Sequence, residues 1–578
     1  MFKKIFNILE QKDKFKLKII FFFVFLSFIF EFITLTSLSV FASSLINVES
    51  TFTKLNSIID LGTYINLNPE NLVKFLGIFI IIAFTIKNLF FVILLIFQSR
   101  FLENLKKKIS KKIFLHYLNI PYSYLLDKNP AKITRTITNE VGGFYGYIEN
   151  LSSLIKEVTA LVAIIVIVLL FSPTVAFVVL PIFIALLLIY FKIIKPFIKK
   201  ATKKNQDLLA SMIQTINETF GAIKDIRISS KEKQISQYYS KDINHYERNF
   251  FYFYLINRLP KILLELLLLF FIVLSGLYFF NFDNTFDVSF AKLALFCILA
   301  MRFIPAFNGI TTSMSYLKIF DASVNLITKE IEGIKNEKEN LQNNVKPNNI
   351  KNISKGNYIF LDNVSFSYNN DKKFILKNVN LNFPKGTKVV LTGKTGSGKS
   401  TLFNLMLGLL KPNKGDIFYQ DQSIFYNLKQ WREQVCSISQ NIYLLDNTIE
   451  NNITYNLFNE TIDKTKLQSA IKISNLETKI NSLPKGLNTI IGNDGIKLSG
   501  GEKQRIAIAR ALYKDANIFF MDEFTSALDA DTETNIINNI LDNYPDKTMF
   551  MISHRESTLK NCDLVLRIND GEIINEKN

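Results

Sequence analysis

Six long apolar runs in the first half of the chain, at about 19–46, 72–98, 151–171, 174–191, 262–281 and 289–312, constrain its fold more than any other feature. Most reach the roughly 20 residues that an α-helix needs to cross the hydrocarbon core of a bilayer. Ser172-Pro173 alone separates the third run from the fourth and reads as a tight turn between antiparallel helices. The first run is too long for a cleaved signal peptide and lacks a small-residue cleavage site, so it counts as a true span. With 48% apolar residues and 53 Phe among 578, part of this chain has lipid as its solvent.

The formal charge of +18 fits either a nucleic-acid surface or the cytoplasmic side of a membrane protein, and the placement of the charges separates the two. Segment 1–18 holds six basic residues, 99–149 holds nine and 192–261 holds fourteen, whereas 47–71 and 281–288 together hold only Lys54. This alternation is the positive-inside pattern. It predicts six spans with both termini in the cytoplasm and removes nucleic acid as a partner. Cys297, Cys436 and Cys562 show no CxxC spacing and read as buried, reduced thiols rather than metal ligands or a disulfide framework.

The two long basic segments keep helical periodicity, as in Lys106 to Leu118 and Leu208 to Ile228, so spanning helices are expected to continue into the cytoplasm. Each has a turning point, at Ile120-Pro121 to Asn129-Pro130 and around Gly221. The division expected is a transmembrane domain over residues 1–329, a polar linker over 330–353 and a soluble α/β domain over 354–578. In that last part short apolar runs (Val389–Thr392, Ile518–Met521, Thr548–Ile552) alternate with helical stretches, one of them from Lys399 to about Leu410.

The chemistry lies in the second half. Gly393-Lys394-Thr395-Gly396-Ser397-Gly398-Lys399-Ser400, followed by Thr401, fits G-x-x-x-x-G-K-[ST] after an apolar strand and at the opening of a helix. Its glycines let backbone N–H groups curl around phosphates, Lys399 reaches the β and γ phosphates, and the Ser400 hydroxyl ligates Mg²⁺. About 120 residues on, the run Ile518 to Glu523 is a buried strand delivering two carboxylates, Asp522 for the water shell of the Mg²⁺ and Glu523 to polarise an attacking water. Between them, Leu498-Ser499-Gly500-Gly501-Glu502 opens another helix and makes a second anion-binding terminus.

This segment resembles the signature of the ATP-binding cassette (ABC) family, with Glu502 where Gln is more usual. The family's other motifs follow in order: Tyr368 in Phe366-Ser367-Tyr368, Gln440 in Ser439-Gln440-Asn441, Ser526-Ala527-Leu528-Asp529, and His554 in Ser553-His554-Arg555. The resemblance covers essentially the whole chain. It implies a six-span transmembrane domain of the ABC exporter type joined to an α/β P-loop nucleotide-binding domain. ATP and Mg²⁺ would be its cofactors. Tyr368 would stack on adenine, Gln440 would join Ser400 on the metal, and His554 would act beside Glu523. Ser499, Gly500, Gly501, Glu502 and Asp529 would complete the ATP site. Because two cassettes of this family clasp ATP head to tail, one cassette implies a second half-transporter, in the simplest case a homodimer. The turning points near 121–130 and 218–226 would be coupling helices, and a bacterial inner membrane would be the location.

Charges inside the apolar runs bear on what is moved. A central Lys or Arg costs on the order of 2.5–3.5 kcal/mol in a spanning helix. Glu31, Lys87, Glu265 with Lys261, Lys292 and Arg302 all occur there. Snorkelling or an i,i+4 pair accounts equally well for Lys261 and Lys292, while Lys87 and Arg302 read as facing a cavity. Lys87, Lys261 and Arg302 would suit an anionic, lipid-linked substrate. Leu259-Pro260-Lys261, Met301-Arg302-Phe303-Ile304-Pro305 and the external segment 47–71 are similar to bacterial lipid-linked oligosaccharide flippases. That resemblance implies transfer of a polyprenyl-pyrophosphate glycan to the outer leaflet, with a short amphipathic helix over Phe52–Leu61. A multidrug or lipid-A-type exporter shares the whole architecture. A peptide exporter is disfavoured because only 18 residues precede the first span, and a nucleotide-gated channel because Glu523 and His554 are intact.

Overall fold

The computed structural model describes residues 2–46, 48–56, 69–126, 128, 130–171, 192, 195–282, 286–343, 358–368, 374–458, 460–492, 495, 497–553, 555, 558–559 and 561–576. By contacts the chain divides into two compact units, Met1–Asn119 with Lys128–Gln342, and Ile120–Asp127 with Asn343–Asn578.

In chain order the first helices are α1 (Phe2–Ile8), α2 (Gln11–Ile46), α3 (Val48–Asn56), α4 (Pro69–Asn119), α5 (Tyr122–Leu126), α6 (Pro130–Arg135), α7 (Val141–Phe171), α8 (Lys195–Gly221), α9 (Ile223–Ile228), α10 (Glu232–Phe282) and α11 (Phe286–Asn343). At 1.5 Å per residue, the 36 residues of α2 reach about 54 Å, well beyond the hydrocarbon core. Among the described residues three stretches are long and apolar enough to span a membrane: Gln11–Leu45, Asn71–Asn119 and Lys132–Leu170. These cover, to within a residue at their ends, the expected runs 19–46, 72–98 and 151–171. The runs 262–281 and 289–312 lie on α10 and α11, and 174–191 falls outside the described residues.

Leu35, Leu161, Ile164, Ile167, Leu264, Phe303 and Phe307 form the buried apolar core of this unit. Close helix approach there depends on glycine. A Cβ at Gly143 would come within 2.4 Å of the Ser323 hydroxyl, and one at Gly146 within 2.6 Å of the Phe320 ring. Two short helices, α5 and α9, stand at the expected turning points.

Four details differ from the sequence expectation. The last long helix continues to Asn343, so residues 330–343 of the expected linker are helical. Their charged residues suit a helix that has left the apolar run; Gly333 is accommodated within it, and the next Pro in the sequence is Pro347. The short helix expected over Phe52–Leu61 starts at Val48, because Val48, Phe52 and Leu55 together pack on Leu72 and Leu76, and residues 57–61 lie outside the described residues. Cys436 and Cys562 are buried but Cys297, on α11, is exposed, so the expectation of three buried thiols fails there. Burial pushes the Cys436 thiol well above its ordinary range, which keeps it inert.

The second unit contains β1 (Ile359–Phe366), β2 (Leu376–Phe383), β3 (Lys388–Thr392), α12 (Lys399–Met406), β4 (Lys414–Tyr419), β5 (Gln422–Ser423), α13 (Leu428–Gln434), β6 (Val435–Ile438), α14 (Ile449–Thr454), α15 (Lys464–Ile473), α16 (Glu477–Ser482), α17 (Gly500–Lys514), β7 (Ile518–Asp522), α18 (Ala530–Asn543), β8 (Thr548–Ile552), β9 (Leu564–Asn569) and β10 (Glu572–Asn575). An antiparallel sheet runs β2-β1-β4-β5. A second sheet runs β10-β9-β3-β8-β7-β6, parallel except for its β10 edge. The central strands β3, β7 and β8 are buried on both faces, which is why they read as continuous apolar runs. Phe403, Phe520, Phe550 and Phe383 pack ring against ring between the layers. The helix after the phosphate loop stops at Met406, short of Leu410. Gly408 takes φ +68°, and a Cβ there would meet Leu428 at 2.7 Å, so the chain turns where only glycine fits.

Candidate functional site

The carboxyl ends of β3 and β7, neighbours across β8, aim their connecting loops to one edge of the sheet. The loop after β3 holds Gly393, Gly396 and Gly398 at φ +139°, +82° and +108°, a conformation that L side chains rarely adopt. A Cβ on Gly393 would come within 2.5 Å of the Ile568 carbonyl. Lys399 Nζ folds back over the loop, donating to the Gly393 and Lys394 carbonyls at 2.7 and 3.0 Å. The Ser397 hydroxyl is buried without a hydrogen-bond partner in the protein. Backbone amides, an ammonium, an orphaned hydroxyl and the start of α12 are donors around one hollow, with Thr395 in the loop between them. This donor set fits a polyphosphate.

Ser400 Oγ donates to Asp522 Oδ2 at 3.1 Å, and Gln440 Nε2 donates to Glu523 Oε2 at 2.6 Å. Hard oxygen donors from three elements thus converge beside the loop, a set suited to Mg²⁺ shared with phosphate oxygens. Burial is the largest influence on Asp522 and holds its carboxyl above the usual range, against the Ser400 hydrogen bond that lowers it. The adjacent Glu523 charge adds to the rise, and Lys399 opposes it. Glu523 itself has φ +45°, while its N–H donates to the Ile552 carbonyl at 3.1 Å. A non-glycine residue in this region stores strain and is a mark of a functional position. Tyr368 stands against the same loop helix, its hydroxyl 3.3 Å from Thr401 Oγ1 and its ring edge-on to Phe366. His554 lies outside the described residues.

The remaining expected residues form a second group. Ser499 caps α17, accepting the Glu502 N–H at 3.3 Å, while Glu502 Oε2 accepts the Ser499 N–H at 2.9 Å. Gly500 and Gly501 let this turn approach Ala527: a Cβ on Gly501 would lie 3.1 Å from the Ala527 carbonyl. Asp529 caps α18 by accepting the Thr532 N–H at 2.9 Å, and that amide bond, first among its causes, holds its carboxyl below the usual range.

In the first unit the expected cavity cations do not stand free. Lys87 Nζ lies 3.0 Å from Glu31, and Arg302 bonds the same carboxylate and lies 3.9 Å from Glu157. Lys156 pairs with Glu157 at 3.2 Å. Glu31 and Lys87 are buried and Arg302 is partly so, and cations withdrawn into an apolar bundle are tolerable only with acids beside them. Lys87 and Arg302, expected to face a cavity, are thus each paired with an acid. Their neutralising partners come from other helices, invisible to a scan along one run. Lys261 is apart from them, half-exposed and 3.5 Å from Glu265 one turn on.

The family ABC transporter transmembrane region matches residues 17–305, and the family ABC transporter matches residues 376–526. The chain belongs to the ABC transporter family. It has the build of an ABC exporter half-transporter. A solved bacterial Atm1-family ABC exporter with ATP bound is similar to it over 93% of both chains, with a TM-score of 0.67 and 21% identity. An ATP-dependent lipid A-core flippase of Vibrio parahaemolyticus is 39% identical over 38% of this chain and 38% of its own length. One from Pectobacterium atrosepticum is 40% identical over 37% of each. The half-transporter thus spans under two fifths of the length of these curated relatives, whereas a lipid A-core flippase of Aliivibrio fischeri is matched over 80% of its length, with 82% of this chain, at 26% identity.

Two residues of the half-transporter's cassette escaped the motif reading. Gln504, buried on α17, donates to Ser526 Oγ and accepts the Ala527 N–H, both at 2.9 Å, so it clamps the loop that follows Glu523. Glu533, buried on α18, accepts from Thr525 at 3.2 Å and is ion-paired with Arg555, which also donates to the Ser526 carbonyl at 3.4 Å. A signal for both was available: each is a polar residue on an apolar helical stripe, Gln504 with Ile508 and Ala511, and Glu533 with Ile536, Ile537 and Ile540.

Proposed function

We propose that this half-transporter is an ATP-driven lipid flippase that carries an anionic glycolipid of the lipid A type from the cytoplasmic to the outer leaflet of a bacterial inner membrane. The observation that carries this reading is the alignment over 497 residues, covering transmembrane and cassette parts together, with a lipid A-core flippase. Both termini and the cassette would be cytoplasmic, as the basic segments require. Residues 1–329 would form the transmembrane domain and 354–578 the cassette.

In this reading Lys399 and the loop amides of Gly393–Thr401 hold the phosphates, and Tyr368 packs on the base. Ser400 and Gln440, with Asp522, would hold Mg²⁺. The metal supplies neutralisation of phosphate charge. Glu523, fixed by Gln440, orients and polarises the attacking water, and by the family resemblance His554 would assist it. The Ser499–Gly501 turn belongs to a second group, so it serves the nucleotide of another copy, and a homodimer is the simplest assembly.

A second reading, a polyprenyl-pyrophosphate-linked oligosaccharide as the cargo, is supported by Leu259-Pro260-Lys261 and Met301 to Pro305. It is also supported by the exposed Lys261–Glu265 pair, the weakest held of the expected cations and the easiest to give up to an anion. The discriminating experiment is flipping in proteoliposomes with a lipid A precursor, a polyprenyl-pyrophosphate glycan and a hydrophobic dye side by side. ATP-dependent movement of the lipid A precursor is expected. Movement of the glycan alone moves the assignment to the second reading, and movement of the dye alone sinks both.

A further inference from the structure

The first turn of α17 carries an electrostatic conflict. Its free N–H groups and helix dipole favour an anion, yet the third helical residue is an acid, Glu502. An ionised carboxylate in this turn repels a triphosphate brought up to Ser499, Gly500 and Gly501. Glu502 is ionised at neutral pH. Burial, the largest single influence, raises its carboxyl, but hydrogen bonds from Lys479 and from the Ser499 amide, with the charges of Lys479 and Arg505, outweigh it and hold the group below the usual range.

Both oxygens of this carboxylate are taken. Oε2 accepts the Ser499 N–H at 2.9 Å, which folds the side chain back along its own turn. Oε1 accepts from Lys479 Nζ at 2.9 Å, an ammonium delivered by α16. The pair is largely shielded, with side-chain exposures of 29% for Lys479 and 16% for Glu502. Ser499 Oγ uses a lone pair to accept the Glu502 N–H, so its own hydrogen stays available to donate outward.

We propose that Lys479 is a positioning residue of the ATP site: it cancels and turns aside the Glu502 charge, so that an acid-bearing turn can close on the phosphates of a nucleotide held by another copy. The proposal rests on the ATPase reading given above. Lys479 acts through Glu502 and touches no reacting atom, so its importance depends on the presence of the acid.

Steady-state ATP hydrolysis by the full-length chain tests this with K479M, K479R, E502Q and the double variant K479M/E502Q. K479M should raise KM for ATP about three- to fivefold with kcat changed by less than about twofold. K479R should restore the wild-type KM. In the E502Q background, K479M should leave KM within about 1.5-fold of E502Q alone, since no acid remains to be compensated. An equal rise of KM in both backgrounds overturns the proposal and makes Lys479 a direct phosphate contact or a structural residue; no rise in either overturns it too. A wild-type chain without Mg²⁺-dependent hydrolysis overturns the ATPase reading and this inference with it, whereas intact hydrolysis without the difference between backgrounds overturns this inference alone.

Discussion

Two clusters of charge, one in the cassette and one among the spanning helices, satisfy their members in opposite ways. Beside the phosphate loop, Lys399 bonds carbonyl oxygens, Asp522 a hydroxyl and Glu523 an amide, so every ionised group is held by a neutral partner. Among the helices, Lys87 and Arg302 are held by Glu31, and Arg302 and Lys156 by Glu157. A neutral partner fixes a charge in place without cancelling it, which leaves the charge for a ligand. An opposite charge cancels it, which is what an apolar surrounding demands. The first cluster is built to receive an ion or a phosphate; the second holds its cations by acids brought from other helices.

Substitutions can break this contrast. The largest effect should come from Glu523→Gln, which keeps the bond to Gln440 but removes the base: ATP turnover should fall by about 100-fold or more while nucleotide binding persists. Turnover near the wild-type rate would remove Glu523 from the hydrolytic role. Next is Glu31→Leu, which strands Lys87 in the bundle, leaves Arg302 only the more distant Glu157, and should destabilise the protein by about 3–5 kcal/mol, read from thermal unfolding in detergent. Replacing Glu31, Lys87 and Arg302 together by Leu should destabilise far less, because no uncompensated charge remains. If single and triple variants unfold alike, the cluster is held by packing rather than by its charges. The smallest of the three is Gln504→Leu, which leaves the Ala527 N–H and Ser526 hydroxyl without their partner and should loosen that loop by about 1–3 kcal/mol, seen as faster hydrogen exchange at Ala527. Unchanged exchange would show that Arg555 alone holds the loop.

The legibility of each cluster followed from how it is written along the chain. Gly393 to Ser400 is contiguous, because a phosphate cradle uses successive amides of one loop, and the structure gives it the positive φ angles its glycines imply. Asp522 and Glu523 were readable because a buried strand must be an apolar run, and the first polar residues after it stand at the sheet edge. Gln504 and Glu533 were missed for a related reason: on a helix the buried face is periodic, and a single polar residue within it is conspicuous only when the stripe is written out. The partners of Lys87 and Arg302 were not readable at all. Glu31 precedes Lys87 by 56 positions and Arg302 by 271, and nothing in the local pattern joins them.

The sequence by itself determined that lipid and water each solvate part of this chain, which loops carry the positive charge, and that a phosphate loop, a carboxylate-bearing strand and a signature turn occur in order. All of these are local properties: the period of an apolar pattern, the length of a run, the curl of a glycine loop. Tertiary structure alone decided that Lys87 and Arg302 share Glu31, that Gln440 meets Glu523, and that Lys479 answers Glu502. Each of these joins groups on separate elements, and burial sets its sign: an ionic group removed from water takes whichever partner the fold brings within reach.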